Sequence, residues 1–233
     1  YRKFEGSLDA NEAMKVAGAV AEVLGDACRV FVERVMLAPG VPCTVNPQTQ
    51  TGVMVGMAKL SGPAPMEVEN AEAARTQAGK LNLRPQDQEL FRNVVGTMST
   101  AGLKDFYTMA QIMPSTPIAG GVTTMPIRLN MPNGLVKATL RTLIDKYTPA
   151  QGSGWVSARP SGPRPTGRPL MGGHRSSSPA APAQQLKTHL PAEFASMVAA
   201  AVEDTIDTMA NQLQIAPGIV VSGNVTVSPG QLI

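Results

Sequence analysis

VAGAVAEVLGDACRVFVERVMLAPGV, residues 16–41, reads as a long amphipathic helix that runs into Ala-Pro-Gly and a β-branched residue. FASMVAAAVEDTIDTMANQLQIAPGI, residues 194–219, ends in the same way near the other end of the chain. Apolar residues recur at the helical period in both stretches, and a proline-glycine pair stops a helix. When the two Ala-Pro-Gly segments are aligned, further identities fall at Ala17/Ala195, Val20/Val198, Ala21/Ala199 and Asp26/Asp204. The chain is therefore predicted to carry a duplicated helix-to-strand unit.

The segments between the two copies alternate between helical and strand-like patterns. Residues 86–98 and 102–113 have apolar residues at helical spacing, so two consecutive helices are predicted there. Val136, Leu140 and Tyr147 lie on one face of a further helix. Shorter apolar runs at residues 52–60 and 122–131, bounded by glycine or proline, predict strands. The sequence thus indicates an α+β fold that is mainly helical, with short strands forming small sheets.

Residues 149–191 differ in composition from the rest of the chain. They contain eight Pro, six Gly and six Ser, five cations and no Asp or Glu. Such a segment cannot bury enough apolar surface to fold alone, and a compact domain rarely accommodates so long a loop. We therefore expect an extended arm that lies across other subunits. It separates a mainly helical α+β domain at 1–148 from a C-terminal helix-plus-strand module at 192–233, which resembles the N-terminal unit.

The sequence contains no motif for a catalytic, cofactor or metal site. Its two histidines, His174 and His189, have no Cys, Asp or Glu at ligand spacing. A phosphate-binding loop, a dinucleotide fingerprint and a nucleophile elbow are all missing from the sequence. The only cysteines, Cys28 and Cys43, are expected to be free thiols. We predict that the protein is not an enzyme and that it binds neither cofactor nor metal.

Charge and hydropathy give weaker indications. A net charge of +3 is too small to indicate nucleic-acid binding by itself, and no run of about 20 apolar residues predicts a membrane span. The start, YRKFEGSLDANEAM, lacks the apolar run of a secretory signal and does not begin with Met, so a processed start is expected. Thirteen Met with 4% aromatic residues favour surfaces that pack against other chains, or a core in which Met replaces Leu.

Two groups of residues are predicted to bind partners. In the arm, arginines among proline and glycine are suited to bind an acidic protein face, with nucleic acid as the alternative. Against nucleic acid, the arm has only one aromatic residue on which bases could stack. The C-terminal residues alternate like a strand that completes a sheet, either its own or that of a neighbour. The arm residues are Trp155, Arg159, Arg164, Arg168 and Arg175, and the terminal-strand residues are Ile219, Val221, Val225 and Val227.

In composition the chain resembles virion structural proteins, although no motif of a particular family is matched. Few charges and aromatic residues, much Gly, Pro and Met, a long arm and a strand-forming tail carry this resemblance. It implies a component of a bacteriophage neck, tail or baseplate, assembled in the host cytoplasm into the virion. Its partners would be multiple copies of other structural proteins, in a homo-oligomer with ring symmetry. The alternatives are a bacterial envelope or secretion-machine subunit, and a nucleic-acid-binding packaging protein.

Overall fold

A computed structural model describes residues 9–63, 66–112, 114–131, 134–148 and 189–233. It has helices and small antiparallel sheets, so the predicted α+β class is confirmed. The described helices are α1 (Ala10–Arg34), α2 (Glu67–Lys80), α3 (Pro85–Met109), α4 (Leu135–Tyr147) and α5 (Phe194–Gln212). The described strands are β1 (Met36–Leu37), β2 (Cys43–Asn46), β3 (Thr51–Met54), β4 (Ala58–Ser61), β5 (Gln111–Ile112), β6 (Pro117–Ala119), β7 (Val122–Thr123), β8 (Ile127–Asn130), β9 (Gln214–Ile215), β10 (Val221–Ser222), β11 (Val225–Thr226) and β12 (Gly230–Gln231).

Six of the strands form a closed barrel. Their order is β12-β1-β4-β5-β8-β9, with all neighbours antiparallel. The two ends of this sheet meet, because Ile215 pairs with Leu232, directly after β12. Gln214 and Ile233 exchange two backbone hydrogen bonds of 3.1 and 2.9 Å at this junction. The barrel therefore has no unpaired edge strand, and strands of two or four residues suffice because each has a neighbour on both sides.

The other six strands form three hairpins that are joined into a second ring, called here the hairpin ring. β2-β3 pairs with β6-β7 through β3 and β6. The hairpin β10-β11 is linked to β7 by the bridge Val122–Val220, and to β2 by the bridge Pro42–Val225. The hairpin ring continues the barrel on the side away from the helices, since each barrel strand leads directly into a hairpin or follows one.

The two rings and three of the helices consist of three equivalent units. Unit A is α1 with β1–β4, unit B is α3 with β5–β8, and unit C is α5 with β9–β12. The pairing register is the same in each: Leu37–Leu60, Ile112–Leu129 and Ile215–Leu232 within units. Lys59–Gln111, Arg128–Gln214 and Gln231–Met36 pair between units. The duplication predicted from the sequence has a third copy in the middle of the chain.

The third copy is also visible in the sequence once its position is known. VMVGMAKLS (53–61), VTTMPIRLN (122–130) and VTVSPGQLI (225–233) are the ends of the three units. Residues 111–130 align with residues 214–233 without a gap. The identities between them are Gln111/Gln214, Ile112/Ile215, Pro114/Pro217, Gly120/Gly223, Val122/Val225, Thr123/Thr226, Pro126/Pro229 and Leu129/Leu232. Met113 and Ser115 replace the alanine and the glycine of Ala-Pro-Gly, so the middle copy does not show this tripeptide.

Equivalent residues of the three units fill the core in layers. Leu37, Ile112 and Ile215 are all completely buried and form one layer of the barrel. Leu60, Leu129 and Leu232 form the next layer, and all three are buried. The segments predicted as separate domains, 1–148 and 192–233, contribute to the same barrel and the same hydrophobic core.

Helix α3 is one continuous helix where the sequence predicted two. The predicted break lay just before Gly102, but this glycine serves packing rather than termination. A Cβ atom at Gly102 would lie 2.6 Å from Cγ1 of Val202 on α5, closer than atoms in contact can approach. Gly102 therefore allows α3 and α5 to pack closely, and the apolar stripe continues through it to Phe106, which is buried.

The turn after each unit's first strand requires a positive φ angle. Gly40 and Gly218 have φ of +94°, and Ser115, at the equivalent position, has φ of +98°. Glycine adopts this conformation freely, whereas a residue with a Cβ atom is strained there. The serine in unit B thus occupies a position that the fold builds for glycine.

Replacing this serine is expected to stabilise the protein. Ser115→Gly should raise the free energy of unfolding by up to about 1 kcal/mol, while Gly40→Ser and Gly218→Ser should each lower it by about 1–2 kcal/mol. Urea unfolding followed by circular dichroism measures all three. A Ser115→Gly variant less stable than the parent would show that the serine side chain contributes more than the backbone strain costs.

Candidate functional site

The arm residues predicted to bind partners, Trp155, Arg159, Arg164, Arg168 and Arg175, lie outside the described residues. Within the ranges that the structure describes, no group of three or more His, Cys, Asp or Glu side chains is placed to hold a metal ion. None of the helices described is long and apolar enough to cross a bilayer. The candidate surfaces are therefore those formed by the described residues.

The four terminal-strand residues divide between the two faces of the hairpin ring. Ile219 is buried and Val221 is half-buried against the core, so both face inward. Val225 and Val227 face outward, with 41% and 50% of their surface exposed. The backbone of this segment is paired within the chain: β11 with β10 and Pro42, and β12 with β1 and β9. This segment can therefore contact a partner through its side chains, since its strands are already paired.

The outward face of the hairpin ring carries a band of mostly apolar residues. Beside this band, Thr44, Ala119 and Ser222 lie on the same face, opposite Val53, Val122 and Val225. Nine residues form the band, in three equivalent sets: Pro42, Pro117 and Val220; Val55, Thr124 and Val227; Val53, Val122 and Val225. Val122 is half-buried and the other eight are exposed. Eight of the nine are Val or Pro, and Thr124 is the one polar member. We call these nine residues the hairpin belt.

Strand pairing makes the hairpin belt a continuous surface. Pro42 pairs with Val225 on one side and accepts a 3.0 Å hydrogen bond from the Val55 amide on the other. Val220 likewise pairs with Val122 and accepts a 2.8 Å bond from the Val227 amide. Residues opposite each other on neighbouring strands have their side chains in contact. The belt therefore runs across the boundaries between units instead of forming isolated patches.

Threonine side chains hold the hairpin ring in register with the turns. The Thr226 hydroxyl of unit C accepts a 2.9 Å hydrogen bond from the Val41 amide of unit A. The Thr123 hydroxyl of unit B accepts bonds of 3.1 and 3.0 Å from the Gly218 and Ile219 amides of unit C. These hydroxyls satisfy buried backbone donors that would otherwise be costly to leave unpaired. Buried hydrogen bonds of these threonines thus hold the backbone that carries the outward valines.

The sequence could have revealed part of this surface. The alternation VTV at residues 225–227 indicates a strand with two faces, and Val53 and Val55 in VMV alternate in the same way. What the sequence did not reveal is that the three hairpins join, because their contacts are made between units that are far apart along the chain.

The described cysteines are both free thiols in apolar surroundings. The Cys28 thiol on α1 lies 3.3 Å from Sδ of Met209 on α5 and donates to it. Burial raises the pKa of the Cys28 thiol from 9.0 to about 11. Burial also raises the pKa of Cys43. A raised thiol pKa lowers the thiolate fraction at neutral pH, so neither cysteine is an activated nucleophile.

Alkylation should therefore be slow and steeply dependent on pH. At pH 8 we expect Cys28 to react with iodoacetamide about a hundredfold more slowly than an ordinary thiol, with about a tenfold rise per pH unit from 8 to 10. Mass spectrometry of the digested protein measures each cysteine separately, and Cys28→Ser gives the background from Cys43. Rapid modification of Cys28 at pH 7 would contradict this.

Comparison with protein-family models, with curated proteins and with solved structures gave no match. The class of the protein therefore rests on its own architecture, which is an α+β fold of three helix-and-hairpin units around a closed six-stranded barrel.

Proposed function

We propose that the protein is a structural subunit of a large multi-subunit assembly, and that the hairpin belt is the surface by which it contacts neighbouring subunits. The observation that carries this proposal is the apolar character of eight outward positions on three joined hairpins. Contiguous apolar surface of this kind is rare on soluble monomers and marks a place where another molecule packs.

The proposed assembly is a bacteriophage virion, with the subunit in the neck, tail or baseplate. The composition of the chain supports this proposal, and so does a hairpin ring that presents apolar side chains on its outward face. The partners would be copies of the same chain in a ring, together with other structural proteins. In this proposal the arm at residues 149–191, with Trp155 and its arginines, connects neighbouring subunits, while Val225 and Val227 contribute side chains to the interface.

The hairpin belt can be tested by introducing charge on it. Val55→Lys with Val225→Lys places two cations beside Pro42, where burial in an interface would require removing both from water. We expect the parent protein to self-associate with increasing concentration and the double variant to do so at least about tenfold more weakly. Sedimentation velocity measures the association, and negative-stain electron microscopy shows whether the larger species are rings.

A matched control separates loss of association from loss of folding. Val68 is 77% exposed on α2, away from the hairpin ring, so Val68→Lys makes the same chemical change elsewhere. All variants should keep the parent's stability within about 0.5 kcal/mol, as exposed substitutions usually do. A parent protein that stays monomeric at every accessible concentration, or a double variant that associates as the parent does, would reject the proposed role of the belt.

A further inference from the structure

The three long helices α1, α3 and α5 leave three equivalent grooves between them on the outside of the molecule, and two of these are filled. α2 follows unit A and packs against both α1 and α3. α4 follows unit B and packs against both α3 and α5. The third groove lies between α5 and α1, and no helix of the described residues lies in it.

Polar contacts show that α2 and α4 occupy their grooves in the same way. Lys80, the last residue of α2, forms a 3.6 Å ion pair with Glu22 on α1. Tyr147, the last residue of α4, hydrogen-bonds at 3.2 Å to Thr97 on α3, the position equivalent to Glu22. The last residues of α2 and α4 therefore lie at the same position along their grooves.

The contacts of α2 and α4 with the second wall of each groove are equivalent as well. Asn70 of α2 donates a 3.0 Å hydrogen bond to Thr100 on α3. Lys137 of α4 forms a 3.8 Å ion pair with Glu203 on α5, the position equivalent to Thr100. In unit A this position is Gly25, which lines the third groove. A helix docked there in the same way would therefore begin its contacts beside Gly25.

The third groove has the shape and chemistry of a helix-binding surface. Its volume is about 710 Å³, and its floor is formed where Cys28 of α1 meets Met209 of α5. The walls are mostly apolar, with Val32 and Leu213 half-buried along them. The charged lining residues are Arg29, Glu33 and Asp204, which give one net negative charge.

We infer that this groove, called here the α1–α5 groove, binds an amphipathic helix of about 14 residues from another polypeptide. The helix would run antiparallel to α1 and α5, as α2 runs antiparallel to α1, because Glu69 near the start of α2 pairs with Arg34 at the end of α1. It would present a narrow stripe of small or apolar residues and a lysine or arginine in its first turn, which complements the acidic lining as Lys137 complements Glu203. This inference does not depend on the hairpin belt.

The chain itself provides a probe of this surface. A fluorescein-labelled peptide with the sequence of α4, LVKATLRTLIDKY, has the form expected of the ligand and can be held helical by a hydrocarbon staple on its solvent face. Fluorescence anisotropy against the full chain should give saturable binding. Bound peptide should also slow the alkylation of Cys28 at pH 10 at least about fivefold, since Cys28 lies on the groove floor.

Two groove variants keep the fold and remove the site. Gly25→Lys and Thr208→Lys each add a cation to the lining, which repels the lysines and arginine of the peptide, and a Cβ at Gly25 meets nothing within 4 Å. Each should weaken peptide binding at least about tenfold. The matched controls are Gly79→Lys, where a Cβ also meets open space, and Thr142→Lys, which is exposed on α4; both should bind as the parent does.

Three results would overturn the inference. They are the absence of binding at millimolar peptide, binding that the groove variants leave unchanged, and binding without protection of Cys28. A further result would assign the groove to this chain instead. If deletion of residues 1–8, or shortening of residues 150–188, speeds the alkylation of Cys28 in the isolated protein, the occupant is one of those segments. Because the belt variants are assayed by self-association, failure here and failure of the proposed function are separate outcomes.

Discussion

A chain lacking its last four residues, 230–233, is expected to lose its cooperative folding transition. These residues supply β12 and its continuation, which join β1 to β9 and close the barrel. Their removal breaks the pairs Met36–Gln231 and Leu37–Gly230, together with the bonds between Gln214 and Ile233. It also removes the buried side chain of Leu232 from the core.

The expected cost approaches the whole stability of the protein. Each lost backbone hydrogen bond contributes about 1 kcal/mol net, and burial of one leucine side chain contributes about 1.5–3 kcal/mol. The loss therefore exceeds about 5 kcal/mol, whereas domains of this size are stable by about 5–15 kcal/mol. Two strands, β1 and β9, would also be left with free edges and would invite aggregation.

The side chain of the last residue provides the control for this truncation. Ile233 is 58% exposed, and its contacts at the closure are made by its backbone. Ile233→Thr keeps those backbone bonds and a β-branched side chain, so it should change stability by less than about 0.5 kcal/mol. Urea unfolding and near-ultraviolet circular dichroism distinguish the variants. If the truncated chain unfolds cooperatively at the parent's midpoint, closure of the barrel does not hold the fold together.

The second large effect concerns the buried layer of Leu37, Ile112 and Ile215. Truncation of each to alanine removes a side chain that is fully buried in the barrel and leaves a cavity. Substitutions of this kind cost about 2–5 kcal/mol. Because the three positions are equivalent and share one core, each variant is expected to lower a single unfolding transition of the whole chain.

This series separates one shared core from independently folding parts. Ile215 lies in the segment 192–233, whereas Leu37 and Ile112 lie in 1–148. If the two segments folded independently, Ile215→Ala would leave a transition of unchanged midpoint for the rest of the chain. Gln111→Ala and Gln214→Ala are controls in the same strands, because both side chains are only half-buried and the expected change is below about 1 kcal/mol. Differential scanning calorimetry counts the transitions directly.

The parts of the fold that could be predicted are those with local causes. The period of apolar residues in 16–34 and 194–212 is sufficient to indicate α1 and α5, and Pro39 and Pro217 mark where those helices cannot continue. The same local reasoning recognised the Ala-Pro-Gly copies. Local reasoning wrongly predicted a helix break before Gly102. The glycine is needed there because it packs against Val202, a hundred residues away along the chain.

The barrel could not be predicted because four of its six strands have only two residues, and the joining of the hairpins could not be predicted because their contacts are made between distant parts of the chain. A two-residue strand such as β5 or β9 has no alternation to detect, and its pairing is decided by neighbours on other units. The middle copy was missed because Met113 and Ser115 replace the alanine and glycine of Ala-Pro-Gly, although Ser115 occupies the same turn as the two glycines. The arm residues, Trp155 and the four arginines, remain a prediction from composition.

The pairing of β1 with β12 has a consequence for synthesis of the protein on the ribosome. Met36 and Gln231 are barrel neighbours, yet nearly two hundred residues separate them. Such distant contacts fold slowly, and a chain emerging from the ribosome at about 5–20 residues per second must wait roughly ten seconds or more between producing the first of these strands and the last. During this interval Leu37 lacks part of its eventual surroundings. The nascent chain is therefore expected to need chaperone protection until its final strand is released.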